Sequence, residues 1–596
     1  MPFVSELSRR RLLSLTAATA GGVAASSLLP PSVLAAVAEP ARPGGLHAIE
    51  HVVILMQENR SFDTYYGSLR GVRGFGDRSA LELPNGQPVF AQPNGDKTIL
   101  PFSARAAAAQ ANRPGSDIQY LGSLPHGWTD GQQAWAGGWN DGWIAAKSAA
   151  TMAYYDRRDI PFQYELADTF TLCDAYHCSM FGPTNPNRLY LWSGNVGFEA
   201  DGRRVVGNDA YDEDNHPGYT WTSYPERLER AGVSWQTYQE WDNYQDNGIE
   251  FFASFKAIAR KALGGKFKSL TSFYEAVGAA EPAEREKLLA ELDNGVKTLP
   301  LAERQLYRRG LRRTPPGTLA SSFRADVEAG RLPKVSYLVP SAVDSEHPSA
   351  SSPAASAALV YDVLDALASS PQVWARTAVF LTYDEYDGYF DHVAPPVPPR
   401  SRTEEFYEGK PLGLGFRVPM TVISPWSIGG YVSSETFDHT SVVRFLERWT
   451  GVREPNISPW RRTVSGDLLS AFDFRRPATR PALTTPAPVP AAVPRWRAQP
   501  PAVGERPRQE PGTRPSRPLP HRPTATAKVR GHELIITLRD NGARGSHFAI
   551  HRYGGDRTPP VHVDVLGTHE ERLPIVGGRY RVAVHGPAGY RWWFTR

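Results

Sequence analysis

Two apolar runs end abruptly in acids. HVVILM (51–56) gives way to Gln57-Glu58-Asn59-Arg60, and TAVFLTY (377–383) gives way to Asp384-Glu385-Tyr386-Asp387, with Asp391 and His392 close behind. If both runs are buried strands of one parallel sheet, their carboxyl ends deliver Glu58, Asn59, Asp384 and Glu385 to the same edge, where such sheets gather their chemistry. Carboxylate and amide oxygens suit one hard or borderline divalent cation. Either cluster alone reads equally well as a helix cap or a solvated loop; two of them on similar strands favour a ligand set.

A third element, Gly182-Pro183-Thr184-Asn185-Pro186-Asn187-Arg188, precedes the helix-like LYLWSG. Thr before Pro in a first turn is ordinary capping chemistry, but the free N–H groups of a helix N-terminus also attract an anion. A Thr184 hydroxyl activated there by a metal could attack phosphorus and form a phospho-threonine. His126 in LPHGW and His347 in DSEHPS lie in Pro/Gly-rich loops rather than on apolar faces. They are placed to protonate a leaving oxygen or, with Asn59, to hold phosphoryl oxygens. Asp387, Asp391, His392 and His439 are expected behind the ligands.

The elements that must position these residues follow from the pattern. Further β-branched runs, VSWQTY (233–238), KVSYLVP (334–340) and VPMTVISP (418–425), alternate with amphipathic segments such as SAALVYDVLDALASS (356–370) and TSVVRFLERW (440–449). That alternation predicts an α/β domain over 46–475 with a largely parallel sheet. Residues of about 200–332 break the rhythm with aromatic loops and a charged helix, and read as an insertion capping the site. From 476 to 525 the composition turns to Pro, Arg and Ala, as in a linker or strap. From 526 to 596, runs such as ELIITL, HFAIHRY and RYRVAVHG alternate at period two, which predicts a small all-β domain.

Composition narrows the function. The first 38 residues, with Arg9-Arg10-Arg11 before an Ala/Gly-rich apolar run and Ala36-Val37-Ala38, read as a twin-arginine export signal cleaved after A-x-A. This implies the twin-arginine translocase as a partner and a secreted, periplasmic or wall-associated product. Removing that segment takes three Arg and one Glu from a formal charge of +4. The balance of +2 makes nucleic acid an unsuitable partner. Two cysteines, Cys173 and Cys178, exclude a disulfide scaffold and a thiolate zinc site and leave open whether they pair with each other.

Taken together, HVVILMQENRSFDTYYG, GPTNPNR, DSEHPS and TYDEYDGYFDHVAPP resemble the bacterial phosphoesterase family that contains phosphocholine-preferring phospholipases C and a respiratory-burst-inhibiting acid phosphatase. The resemblance spans about 48–450, and RQEPGTRPSRPLPH (508–521) with the terminal β-domain is similar to the non-haemolytic phospholipase C branch. It implies an alkaline-phosphatase-like doubly wound α/β sandwich. It also implies Glu58, Asn59, Asp384 and Glu385 as ligands of one metal (calcium, iron or zinc), Thr184 as nucleophile, and His126 and His347 around the phosphate. A family histidine from mid-chain has only His216 as a candidate here.

The expected activity is therefore that of a phosphoric diester hydrolase, cleaving phosphatidylcholine, or sphingomyelin, to phosphocholine during transient contact with a membrane surface. Choline would need an aromatic cage, because a quaternary ammonium makes no hydrogen bond. Tyr154, Tyr155, Trp135, Trp221, Tyr238, Trp241 and Tyr244 are the candidates. An acid phosphatase acting on monoesters is the rival enzyme, and a secreted membrane-binding protein on a decayed catalytic scaffold is the non-enzymatic rival.

Overall fold

The computed structural model describes residues 30–38, 43–475, 486–502 and 504–596. Most of the expected export signal lies outside the described residues. Its last part, Pro31–Ala38, is a helix whose Val33 and Ala36 are buried.

Seven strands form the central sheet: β1 His51–Gln57, β2 Thr171–Cys173, β3 Trp235–Gln239, β4 Val335–Val339, β5 Thr377–Tyr383, β6 Met420–Ile423 and β7 Val432–Ser433. Their spatial order is β7-β2-β6-β5-β1-β4-β3, parallel throughout except that β6 runs antiparallel to both its neighbours. The unbroken apolar character of β1 and β5 has its cause here, because both faces are covered. Val52, Ile54 and Met56 enter one core with Ala378 and Phe380, while Val53 and Leu55 enter the other with Val379 and Leu381. Helix Thr184–Ser193 contributes Leu189 and Leu191 to the first core, and helix Pro353–Ala368 contributes Leu359, Val363 and Leu367 to the second.

Part of the expected insertion belongs to the sheet, since β3 is its edge strand. The helices Ala253–Leu263, Leu270–Ala279 and Pro282–Thr298 follow it. The Pro-rich stretch is a strap that grips the α/β domain. Trp496 is buried and donates Nε1–H to the Asp117 carbonyl (2.8 Å), Arg157 pairs with Glu510 (2.8 Å) and Arg514 with Asp168 (2.6 Å). Beyond it, a three-stranded and a four-stranded antiparallel sheet enclose a core of Leu534, Ile536, Phe548, Ile550 and Val584. The all-β C-terminal domain is thus a sandwich. Among the described residues no helix is long and apolar enough to cross a membrane. Cys173 and Cys178 are both buried and free.

Candidate active site

The register settles why two strands end in acids. β1 and β5 are adjacent and parallel with Gln57 opposite Tyr383, so the next residues, Glu58 and Asp384, leave the sheet side by side. The chain turns sharply at both exits: Asn59 has φ 61° and Asp387 φ 51°, in the left-handed region that Asn and Asp tolerate better than most residues. The Asn59 N–H donates to Asp384 Oδ1 (3.0 Å), and Asn59 Nδ2 donates to Asp387 Oδ1 (3.3 Å), locking the two exits together.

Helix Thr184–Ser193 points its N-terminus into this edge. Thr184 is buried and its hydroxyl donates to Glu58 Oε2 (3.4 Å). Arg188 stands one turn later on the same helix face. It bonds Glu58 Oε1 (2.7 Å), and lies 3.0 Å from Asp246 Oδ2 and 3.3 Å from Asp384 Oδ2. Sequence reasoning missed both Arg188 and Asp246. Arg188 was signalled by its i+4 spacing from Thr184, whereas Asp246, in an insertion loop, carried no signal.

A buried pocket holding this many acids strains their ionisation. Burial, reinforced by the Asp246 carboxylate, pushes Glu58 up to about 8 against the pull of Arg188, and burial pushes Asp246 up to about 7. Asp384 is raised by burial and then by the Glu58 charge, and Glu385 by burial and then by the charges of Asp384, Asp387 and Glu58. A cation would complement this charge. Glu385 Oε1 and Asn59 Oδ1 are buried without hydrogen-bond partners, which fits them as ligands. Glu58, Asp384 and Glu385 do not yet converge on one point, because Arg188 draws Glu58 and Asp384 to itself; the sets of three within 4.8 Å among the described residues are His126/His347/Asp387 and Asp63/Asp391/His392.

Hydrogen bonds assign the first of these sets to a different task. His126 donates Nδ1–H to the Leu124 carbonyl (2.6 Å), which turns Nε2 toward Glu385 Oε1 (3.8 Å). His347 Nδ1 accepts the backbone N–H of Ser349 (3.1 Å), so in the neutral ring the proton sits on Nε2, a donor and no ligand. Burial holds His347 down at about 3, neutral at physiological pH. The two rings lie 6.3 Å apart.

Of the expected supporting residues, Asp387 and His439 are at the site. His439 donates Nε2–H to the Asp384 carbonyl (2.6 Å) and its Nδ1 accepts from Tyr176 (3.0 Å). Asp391 and His392 are not. Asp391 bonds Arg417 (2.9 Å) and His392 bonds Asp63 (2.6 Å), closing a separate buried ion network. His216 is not there either, being paired with Glu199 at 2.8 Å.

Of the expected aromatic cage, Trp135, Tyr155 and Tyr238 are buried in the cores, and Tyr154, Trp221 and Trp241 are half-buried and packed against one. Tyr244, 5.1 Å from the His347 ring, is at the site. Tyr155 is buried with its hydroxyl on Ile118, and Tyr238 enters the opposite core and bonds Asp326. Tyr154 packs on Phe75, Trp135 on Phe181, Trp221 on Tyr219 and Trp241 on Tyr274. Packing needs explain these rings; large aromatics fill cores before they build cages.

Comparison with known proteins places this geometry in a lineage. Residues 49–453 match the Phosphoesterase family, and residues 515–595 match the bacterial phospholipase C, C-terminal domain. The chain is 41% identical to a "Non-hemolytic phospholipase C" of Pseudomonas aeruginosa over 98% of its length and 82% of the relative's. It is 40% identical to a protein of the same name in Burkholderia pseudomallei (98% and 83% covered), and 37% identical to the "Hemolytic phospholipase C" of Pseudomonas aeruginosa (96% and 81%). With its acid-tipped parallel strands, its helix-borne Thr184 and its terminal β-sandwich, the chain belongs to the Phosphoesterase family.

Proposed function

We propose that this protein is a phospholipase C that cleaves phosphatidylcholine, and sphingomyelin through the shared head group, to phosphocholine and diacylglycerol or ceramide. The observation that carries the reading is the Thr184 hydroxyl, set at a helix N-terminus and donating to Glu58, with His126, near Glu385, and His347 as two histidines of opposite tautomer. The relatives named phospholipase C support it.

Thr184 Oγ1 attacks phosphorus in line and passes its proton to Glu58 in its ionised form, and Glu58 returns that proton to Thr184 Oγ1 when water cleaves the phospho-threonine. His347 Nε2–H holds a phosphoryl oxygen as charge builds there. His126 gives a proton to the leaving glycerol oxygen, and then takes one from the water that cleaves the phospho-threonine. A divalent cation held by Glu58, Asn59, Asp384 and Glu385 would lower the pKa of the Thr184 hydroxyl and neutralise phosphoryl charge. Export through the twin-arginine translocase and transient contact with lipid complete the proposal. Leu566 and Val576, both strongly exposed in the β-domain, offer apolar contact with a lipid surface.

A second reading, a phosphatase acting on monoesters, rests on Tyr244 being the one cage candidate against the site. The deciding assay pairs phosphatidylcholine vesicles with p-nitrophenyl phosphate, with Thr184→Ala alongside. Phosphocholine release that vanishes in the variant supports the lipase; turnover of the monoester alone moves the assignment to phosphatase.

A further inference from the structure

Away from the active site, the face of the β-domain turned toward the α/β domain carries four histidines around one alanine. On strand Ser546–Tyr553, His547 and His551 flank Ala549 at two residues' distance on the same face. Ala549 pairs with His562 on one neighbouring strand and with His585 on the other. The small side chain leaves a cavity of about 80 Å³ between the domains, which all four histidines line. An interface of this kind is ordinarily filled by apolar side chains, so six imidazoles around a void, these four with His177 and His392 of the α/β domain, need a reason.

Hydrogen bonds fix which nitrogens are left free. His551 donates Nε2–H to the Gly138 carbonyl (3.2 Å), leaving Nδ1 a bare lone pair. Asp564 holds His547 Nδ1 (2.8 Å), and His547 Nε2 meets His562 Nδ1 (3.0 Å), leaving His562 Nε2 free. His551 Nδ1, His562 Nε2 and His585 Nε2 are all buried without a hydrogen-bond partner. Imidazoles whose second nitrogen is tied to a carbonyl or to a carboxylate relay are the usual supports of a metal site.

We propose that this cavity is a transition-metal site, taking zinc or a similar borderline divalent ion on His551 Nδ1, His562 Nε2 and His585 Nε2, with the β-domain supplying every ligand. Neutral imidazoles suit that class of ion. Burial keeps His551, His562 and His585 below their ordinary range, and hence unprotonated and ready to ligate. The nearby cations are occupied. Arg73 pairs with Asp77 (3.2 Å), and Arg591 donates to the carbonyls of Ala80 and Arg78. On the opposite wall His392 spends both ring nitrogens on Asp63 and Asp77. The His551 and His585 rings are 5.1 Å apart. The three free nitrogens stand wider than one ion's shell, since they are not among the sets within 4.8 Å. Binding therefore rotates the rings inward over Ala549.

The test uses the full mature chain, dialysed against chelator and then zinc, with bound metal counted by elemental analysis and cobalt(II) substitution read by visible absorption. The wild type should hold one more equivalent than His551→Asn/His562→Asn and than Ala549→Leu, which fills the void and leaves every histidine in place. In both variants the zinc dissociation constant should rise at least 100-fold, while p-nitrophenyl phosphate turnover, which reports the active site, stays at the wild-type value. Equal metal content in all three proteins would overturn the proposal. So would a crystal of the wild type soaked in zinc that shows an ordered water, and no anomalous peak, in the cavity; this last result needs no variant to fold.

Discussion

Replacing Arg188 by Met tests the electrostatic account of the active site most directly. Arg188 is the buried cation that holds Glu58, Asp246 and Asp384 at 2.7, 3.0 and 3.3 Å. Removing one partner from a buried ion cluster costs about 3 to 5 kcal/mol, because charges or forced protonations are left behind. Unfolding entropy near 2.1 cal/mol/K per residue gives roughly 0.9 kcal/mol/K for an α/β domain of roughly 430 residues, so this cost lowers Tm by about 3 to 6 °C. Glu58 already sits at about 8 with Arg188 beside it, so the variant meets neutral pH with its carboxyls more protonated. A divalent cation competes with Arg188 for the same oxygens. The loss should therefore be fully visible in chelator and at least half recovered at saturating divalent cation, whereas the wild type should respond less. Calorimetry with and without chelator measures both. A variant that melts within 1 °C of the wild type in chelator, or one the cation does not rescue, would refute the reasoning.

Thr184→Ala should lower turnover by at least about 10⁴-fold, as loss of a covalent nucleophile does, while Thr184→Ser keeps it within about tenfold; mass spectrometry of quenched reactions should find phosphate on Thr184 alone. Trp496→Ala removes a buried indole and its bond to Asp117, an expected cost of about 3 to 5 kcal/mol. It should expose 486–520 to proteolysis, and resistance equal to the wild type would count against a gripping strap. Leu566→Ser/Val576→Ser should slow hydrolysis of vesicles and leave a soluble monoester untouched; an equal effect on both would mean that these residues do not meet lipid. Acid should loosen the domain interface: His551 lies at about 4 when folded and near 6.5 when unfolded, so its contribution is intact above 6.5 and is lost as pH falls toward 4. The loss is on the order of 3 kcal/mol, and His551→Asn should flatten the decline of Tm over that interval.

The parts of the site that were legible in the sequence are those that a strand or a helix start delivers. Glu58, Asn59, Asp384 and Glu385 follow buried runs directly, and a run buried on both faces has only one place to put its first polar residues. Thr184 was legible because Pro and Asn mark a helix start. Asp246 was not, because it arrives from a loop whose position depends on how β3 and the helices after it pack on the sheet edge. His216 matched the expected order along the chain, but order alone fixes no position, and Glu199 holds it elsewhere. The aromatic candidates failed for a related reason. Composition counts rings without saying which face of the sheet each one enters, and Tyr238 enters the core opposite the one that receives Leu189 and Leu191.

The strap shows what composition leaves open about mechanical role. Pro, Arg and Ala at 476–525 read as a linker or a strap, because Pro-rich chain needs no core and bonds little to itself. The described part instead makes its bonds outward. Arg514 pairs with Asp168 and Arg517 donates to the Thr171 hydroxyl, both on the α/β domain, and Trp496 enters a site built by the segment that runs on to His126. Gly122 N–H donates to the Trp496 carbonyl (2.8 Å), and two residues later the Leu124 carbonyl orients the His126 ring. The strap is thus coupled to His126 through four residues of backbone. Cutting the chain at 475 would remove that support together with the β-domain. A truncation meant to isolate the role of the β-domain must keep 486–522, and only there does loss of vesicle hydrolysis with retained monoester turnover speak for lipid targeting.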